Sequence, residues 1–333
     1  MIMSEGAVLS VRELKTQFFT RKGVVKAVDG VSFDLHKKEA LGIVGESGSG
    51  KSITCFSIMR LVPDPPGRIV GGEVLFKGHD LLKLTPSEMR KVRGSGISMS
   101  FQDPMTYLNP VMRVGDQIAE AILLHNNVDK QKAFEMAVKA MKLTEINNPE
   151  KRAFDYPHQL SGGMRQRILI SMALACDPDV LIADEPTTAL DVLVQKEILN
   201  LLRDIRNEIS TGMIIVSHDL GVVAEVCERV AVMYAGNIVE IASTKELFEN
   251  PLHPYTMGLM ESIPRADRGK QRLLTIPGAV PDLMTPPSGC KFHPRCPYAV
   301  AECKTQLPPL EKVDGDRYVR CIKYAEIQKK RQS

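Results

Sequence analysis

The sequence is short of everything that would place it in a membrane or on a nucleic acid. No run approaches the ~20 consecutive apolar residues that a membrane-spanning helix needs. The start, Met1-Ile2-Met3-Ser4-Glu5, has no basic stretch leading into a long apolar one, so no secretory signal is expected. The net charge is only +3 and strong basic patches are lacking, which gives no argument for nucleic acid or an acidic membrane surface. No internal repeat, heptad pattern or low-complexity run is visible. The chain is therefore expected to stay in the cytosol, with any membrane contact made through a partner. What remains is a 333-residue chain with 44% apolar and 25% charged residues, ordinary for a globular protein of one large domain or one large and one small.

Apolar and polar positions alternate over residues 1–40, as at Val8, Ser10, Val11, Val28, Val31 and Phe33, which predicts antiparallel strands. Leu41 to Val44 reads as a short buried strand, and Ile53 to Val62 as a helix ending at Pro63. Glu73 to Phe76 reads as a strand between glycine turns. Residues 116–175 read as mostly helical, with Phe134, Val138 and Met141 as a core stripe. Val180 to Ala183 and Met213 to Val216 are strand candidates separated by a helix, Leu193 to Glu208. Strands alternating with helices predict an α/β domain with a parallel sheet. The sequence becomes rich in proline after about residue 245, so a boundary is expected there. Three cysteines, Cys55, Cys176 and Cys227, are expected to be buried core residues.

Between the strand at Leu41–Val44 and the helix after it lies Gly45-Glu46-Ser47-Gly48-Ser49-Gly50-Lys51-Ser52, which fits the Walker A pattern. Glycines let backbone N–H groups approach phosphate oxygens, and the following helix presents its positive end. Lys51 is placed to reach the β- and γ-phosphates, and the Ser52 hydroxyl to bind Mg²⁺. The apolar strand that ends in Asp184-Glu185 supplies a carboxylate for Mg²⁺ and a second one to polarise an attacking water.

Leu160-Ser161-Gly162-Gly163-Met164 then resembles the signature of ABC ATPases, with Met164 where Gln is usual. Ser100-Phe101-Gln102-Asp103-Pro104 resembles their Q-loop, Ala189-Leu190-Asp191 their D-loop, and Val216-Ser217-His218-Asp219 their switch-histidine region. The resemblance implies a RecA-like parallel-sheet core with an antiparallel β subdomain and a helical subdomain at about 103–175, together spanning residues 1–245. It implies two such domains closing head to tail on two ATP molecules. Ser161, Gly162 and Gly163 would face the partner's phosphate, with Asp191 beside them. Gln102 would contact Mg²⁺ or the water, Glu185 and His218 would serve hydrolysis, and Phe18, with Phe19 next, would stack on adenine.

Asn250-Pro251-Leu252-His253-Pro254-Tyr255-Thr256 and Gly289-Cys290-Lys291-Phe292-His293-Pro294-Arg295-Cys296-Pro297 resemble segments of oligopeptide and dipeptide importer ATPases, nearest to the D-type subunit. Residues 246–333 would form that family's C-terminal extension. Its four cysteines, Cys290, Cys296, Cys303 and Cys321, have spacers of five, six and seventeen residues. Four thiolates suit a [4Fe–4S] cluster or tetrahedral zinc. The lack of CxxC pairs argues against zinc, free thiols are the third choice, and some D-type subunits carry the cluster on this pattern. The resemblance further implies a second ATPase subunit as heterodimer partner, two transmembrane permeases, an extracellular solute-binding protein, no nucleic acid, and a peripheral place on the cytoplasmic face of the membrane. The solute would be a peptide, with nickel or oligosaccharides as relatives' cargoes. The competing class is a soluble ABC ATPase of DNA repair or iron–sulfur assembly. Against it, residues 53–159 hold no coiled-coil insertion.

Overall fold

Alternating and continuous apolar runs produce two different sheets. In the computed structural model, which describes residues 6–188, 190–262 and 275–332, the strands in chain order are β1 (Ala7–Thr20), β2 (Gly23–His36), β3 (Ala40–Val44), β4 (Gly67–Phe76), β5 (His79–Asp80), β6 (Ile97–Ser100), β7 (Val180–Asp184), β8 (Gly212–Ser217), β9 (Arg229–Tyr234), β10 (Asn237–Ser243), β11 (Glu311–Asp314) and β12 (Arg317–Val319). The alternating strands form an antiparallel sheet in the order β2-β1-β4-β5. The apolar runs form the centre of a second sheet, β11-β12-β10-β9-β3-β8-β7-β6, in which β9, β3, β8, β7 and β6 are mutually parallel.

Every residue of β3, β7 and β8 is buried, as expected of parallel strands covered on both faces. Their side chains divide by the two-residue period. Leu41, Ile43, Ile182, Ile214 and Val216 face a core shared with Leu9, Val11 and Phe33 of the antiparallel sheet. Ala40, Val44, Leu181, Met213 and Ile215 face the other core, under the helices Val192–Glu208 and Leu220–Val226.

A third core belongs to the helices Val114–His125, Lys130–Leu143 and Gly162–Leu174. The stripe expected at Phe134, Val138 and Met141 is shifted by part of a turn. Ala133, Ala137, Ala140 and Met141 are buried, while Phe134 and Val138 lie half-buried at the border. Small residues let the helices approach closely: a Cβ on Gly115 would come within 2.9 Å of the Phe134 ring. The helix after the phosphate loop ends at Ile58, before the expected Val62, because Arg60 turns left-handed at φ 51° and Leu61 N–H bonds back to the Phe56 carbonyl. Cys55 and Cys227 are buried in core clusters as expected, and Cys176 is half-buried against the helical core.

The C-terminal residues continue the same body. β12 pairs antiparallel with β10, matching Val319 to Glu240, and β11 pairs with β12. Tyr255 and Phe292 are buried in the main core beside Tyr234. Glu240, wholly buried, accepts N–H bonds from Leu252 and His253 and pairs with Arg317 at 3.3 Å.

Candidate active site

Four neighbouring parallel strands deliver the site. The loop after β3, the turn after β6, the end of β7 and the end of β8 all lie at carboxyl ends, where open α/β sheets place their ligands. There Ser47, Gly48, Gly50, Lys51, Ser52, Gln102, Glu185 and His218 line one pocket.

The loop's shape depends on glycine at two points. Gly45 and Gly50 have φ of 155° and 103°, and a Cβ on either would press into a carbonyl oxygen, Met233's or Ala27's. A Cβ on Gly48 would meet nothing within 4 Å. Ser49 Oγ is buried without a hydrogen-bond partner, while its carbonyl accepts from Gly236 N–H. Lys51 Nζ donates to the carbonyls of Gly45 (2.8 Å) and Glu46 (3.2 Å). Burial lowers the Lys51 ammonium's pKa, opposed by the carboxylates of Glu185 and Asp184.

Ser52 Oγ donates to Asp184 Oδ1 at 3.0 Å. Burial raises the Asp184 pKa, against the pull of Ser52's hydrogen bond. A hydroxyl and a buried carboxylate in contact beside a lysine form an oxygen donor set that fits a hard cation such as Mg²⁺. Glu185 leaves the strand with a left-handed φ of 46°, an unusual conformation for a residue with a side chain. Its Oε2 accepts from Gln102 Nε2 and from Thr188 Oγ1, both at 2.8 Å, and its Oε1 lies 3.4 Å from His218 Nδ1. Thr188 carries no sequence signal beyond its place three residues after Glu185.

Other expected residues lie away from this pocket. Ser161 caps the helix Gly162–Leu174 by accepting from Met164 N–H, and Ser161 and Gly162 are exposed. Asp191 Oδ1 caps the helix Val192–Glu208, accepting from Leu193 and Val194 N–H. A Cβ on Gly163 would meet Val194 Cγ1 at 2.5 Å, so glycine lets these two helix starts touch. Ala189 of the D-loop lies outside the described residues. Phe18 is half-buried, paired with Val25 and Gly67, and does not line the phosphate pocket; Phe19 is 49% exposed with the Arg68 guanidinium over its ring.

Comparison with known proteins agrees with this geometry. Residues 28–188 match the ABC transporter family, and residues 239–303 match the oligopeptide/dipeptide transporter C-terminal region. A probable peptide ABC transporter ATP-binding protein of Sinorhizobium fredii is 51% identical over 320 residues, 96% of each chain. The oligopeptide transport ATP-binding protein OppD of Bacillus subtilis is 51% identical over 94% of this chain and 87% of its own. The chain belongs to the ATP-binding subunits of the oligopeptide/dipeptide ABC transporter family. Among solved structures, the ATP-binding cassette MJ0796 bound to ADP and Pi superposes with a TM-score of 0.63 at 25% identity, covering 71% of this chain and 98% of that one. CbiO1 of Clostridium perfringens, part of an ABC transporter complex, gives a TM-score of 0.63 at 28% identity, covering 74% of this chain and 92% of its own. The chain is an ABC-type ATPase, for which ATP and Mg²⁺ are the expected ligands. Among its described residues no helix is long and apolar enough to cross a membrane.

The extension of this ABC subunit carries a second concave feature. Cys290, Cys296, Cys303 and Cys321 line one cavity with His253, Phe292, His293 and Tyr298. Burial raises the Cys290 thiol's pKa and pushes Cys296 and Cys321 up to about 11 and about 12. Among the described residues no group of three or more His, Cys, Asp or Glu is arranged as a metal-ligand set. The four cysteines therefore share a cavity without the arrangement of a metal-ligand set. Sequence reasoning missed the contacts from this segment to the phosphate loop. Arg295 forms a double ion pair with Glu46, and Tyr255 Oη accepts from Glu46 N–H. Glu46 occupies a position that the Walker pattern leaves open, so no motif marks it.

Proposed function

We infer that this chain is the ATP-hydrolysing motor subunit of a membrane importer for peptides. One observation carries the inference: the phosphate loop, Asp184, Glu185, Gln102 and His218 converge at one sheet rim, in a chain half identical along its length to peptide-transport ATP-binding proteins. Lys51, which in this structure donates to its own loop's carbonyls, would turn to phosphate oxygens, alongside the N–H groups at Ser47, Gly48, Ser49 and Gly50. Ser52 and Asp184, with Gln102, would hold Mg²⁺ directly or through water. The ion would neutralise charge on the phosphate oxygens.

Glu185 is suited to act as the base. Gln102 and Thr188 occupy its Oε2 and orient it, so that Oε1, 3.4 Å from His218 Nδ1, would accept a proton from a water aligned by His218. Ser161, Gly162 and Gly163, at the positive end of their helix, would close over the phosphate of a second ATPase subunit, with Asp191 beside them. Phe18, or the exposed Phe19, would stack on adenine.

In this reading residues 1–245 form the nucleotide-binding domain, with its helical part at 103–175, and residues 246–333 form the extension. The partners are a second ATPase subunit in a heterodimer, two permeases and an external solute-binding protein, with the chain bound peripherally on the cytoplasmic face. Met105, Tyr107 and Val111, exposed by 63%, 44% and 78%, suit the permease contact because exposed apolar side chains clustered in sequence mark interaction surfaces. The four extension cysteines, which line one cavity, would hold a [4Fe–4S] cluster as thiolates, each giving up its proton on binding. Iron and sulfide counts on anaerobically purified protein test the cluster, and colourless, iron-free protein rejects it. Purifying the tagged chain from native membranes tests the motor. Recovery of two permeases, a second ATPase and a peptide-loaded binding protein is expected; a soluble homodimer without membrane partners overturns the importer, and a binding protein loaded with nickel or an oligosaccharide overturns the peptide.

A further inference from the structure

The phosphate loop is gripped from behind by the C-terminal extension, and the grip falls on one residue. Glu46 is held at each of its polar groups. Its N–H donates to Tyr255 Oη at 2.9 Å. Its carbonyl accepts from Lys51 Nζ and from Ser49 N–H, both at 3.2 Å. Its two carboxylate oxygens take the two terminal nitrogens of Arg295 at 2.8 and 3.1 Å.

Arg295 is itself immobilised. Its side chain is 5% exposed, its Nε donates to the Pro277 carbonyl at 2.9 Å, and its terminal nitrogens also reach the Ile276 carbonyl and Tyr234 Oη. Tyr234, Tyr255 and Phe292 pack together with ring centroids 4.6 to 5.4 Å apart, all buried, so the backing of the clamp is rigid. A second strut runs in parallel. Lys291 Nζ donates to Asp29 Oδ2 at 3.0 Å and to the Ala235 carbonyl at 2.8 Å. Two residues before Asp29, the Ala27 carbonyl fills the space a Cβ on Gly50 would need, and next to Ala235 the Gly236 N–H donates to the Ser49 carbonyl at 2.8 Å.

Both struts leave from one tight turn. His293 N–H bonds to the Cys290 carbonyl, Arg295 N–H to Phe292, and Cys296 N–H to His293. The turn that puts Cys290 and Cys296 into the sulfur-lined cavity thus puts Lys291 and Arg295 onto the phosphate-loop assembly.

Given that residues 45–52 are the phosphate loop, we propose that Arg295 and Tyr255 are positioning residues for nucleotide binding. They hold Glu46 so that the loop keeps the concave shape its N–H groups need, which makes ATP affinity a property of the extension as well as of the loop. A bidentate guanidinium–carboxylate pair is both strong and directional, and a loop displaced by a fraction of an ångström no longer aims its donors.

The test uses the assembled transporter with steady-state ATPase kinetics, equilibrium binding of a fluorescent ATP analogue, and the unfolding midpoint of nucleotide-free protein. Glu46→Gln and Tyr255→Phe keep the packing volume and remove one tie each. Each is expected to raise the ATP KM and the analogue Kd about ten-fold, with kcat within about two-fold and little change in the midpoint. Arg295→Lys keeps the charge but loses the two-pronged geometry, and is expected to fall between Arg295→Ala and the native protein. Unchanged KM and Kd in Glu46→Gln and Tyr255→Phe, while Lys51→Ala abolishes analogue binding, would overturn the positioning role and leave the loop assignment standing. Native-like binding by Lys51→Ala would instead remove the loop assignment itself, and the proposal with it.

Discussion

The phosphate pocket and the cysteine-lined cavity are joined by one turn yet built in opposite ways. The pocket is an open rim of charged groups and glycine backbone: Lys51, Glu185 and an exposed His218 meet there, with Asp184 buried behind Ser52, because four parallel strands end side by side. The cavity is small, sulfur-lined and backed by buried rings, and its four cysteines come from a local turn plus two later segments. In the first, charge is poised for use. In the second, burial disfavours the charged forms of His253 and Cys290. One body can hold both because Arg295 carries its positive charge out of the apolar segment and matches it to Glu46 on the loop.

The sharpest way to break this comparison is to disable the chemistry of the rim while leaving its binding intact. Glu185→Gln keeps the shape and the acceptor toward Gln102 and Thr188 but removes the proposed base. ATPase turnover should fall by about 10²–10⁴-fold with ATP still bound, measured by phosphate release alongside nucleotide binding. Turnover within a few-fold of native would give the base to another residue.

The buried extension should show its opposite character in acid. His253 is 1% exposed, and its Nδ1 accepts from Tyr255 N–H. Burial, helped by the positive Arg320, pushes its pKa down to about 3. The unfolded chain takes a proton near pH 6.5 that the folded chain refuses. Stability from this group is therefore complete above that pH and is lost as pH falls toward 3, by roughly 1.4 kcal/mol per unit. Unfolding free energies across that range should drop less steeply for His253→Gln; parallel curves would show that the imidazole is protonated in the fold.

Smaller effects sharpen the boundary between the two sites. Cys321 lies outside the turn that carries Arg295, so Cys321→Ser should alter the cysteine site while moving the ATP KM less than about two-fold. A larger rise would extend the coupling to the whole cavity. The smallest effect is expected at Met164. In the proposed closure Ser161, Gly162 and Gly163 would carry the phosphate-facing backbone, so Met164→Gln should leave ATPase activity of the complex within about two-fold; a many-fold gain would show the signature to be impaired by methionine.

Much of the site was legible in the sequence because phosphate chemistry demands residue types at fixed local spacing. Gly45 to Ser52 must be contiguous for one loop to wrap a phosphate, and Asp184-Glu185 must follow an apolar run that buries their strand. Gln102 and His218 were legible only through resemblance, since neither has local company that implies its contact with Glu185. Thr188 and Arg295 carried no such pattern. Their partners are fixed by how separate segments pack, 249 positions apart for Arg295 and Glu46.

By itself, then, the sequence determined the α/β alternation, the phosphate loop and the two acidic residues, because each is written in short-range periodicity or spacing, while the family was carried by the resemblance of its motifs. Tertiary structure alone decided that the extension adds strands to the core sheet instead of standing apart. It alone decided that Arg295 closes on Glu46. These depend on long-range burial: a charge or a strand edge in the extension becomes tolerable only where folding supplies its partner, and no local pattern encodes which partner that is.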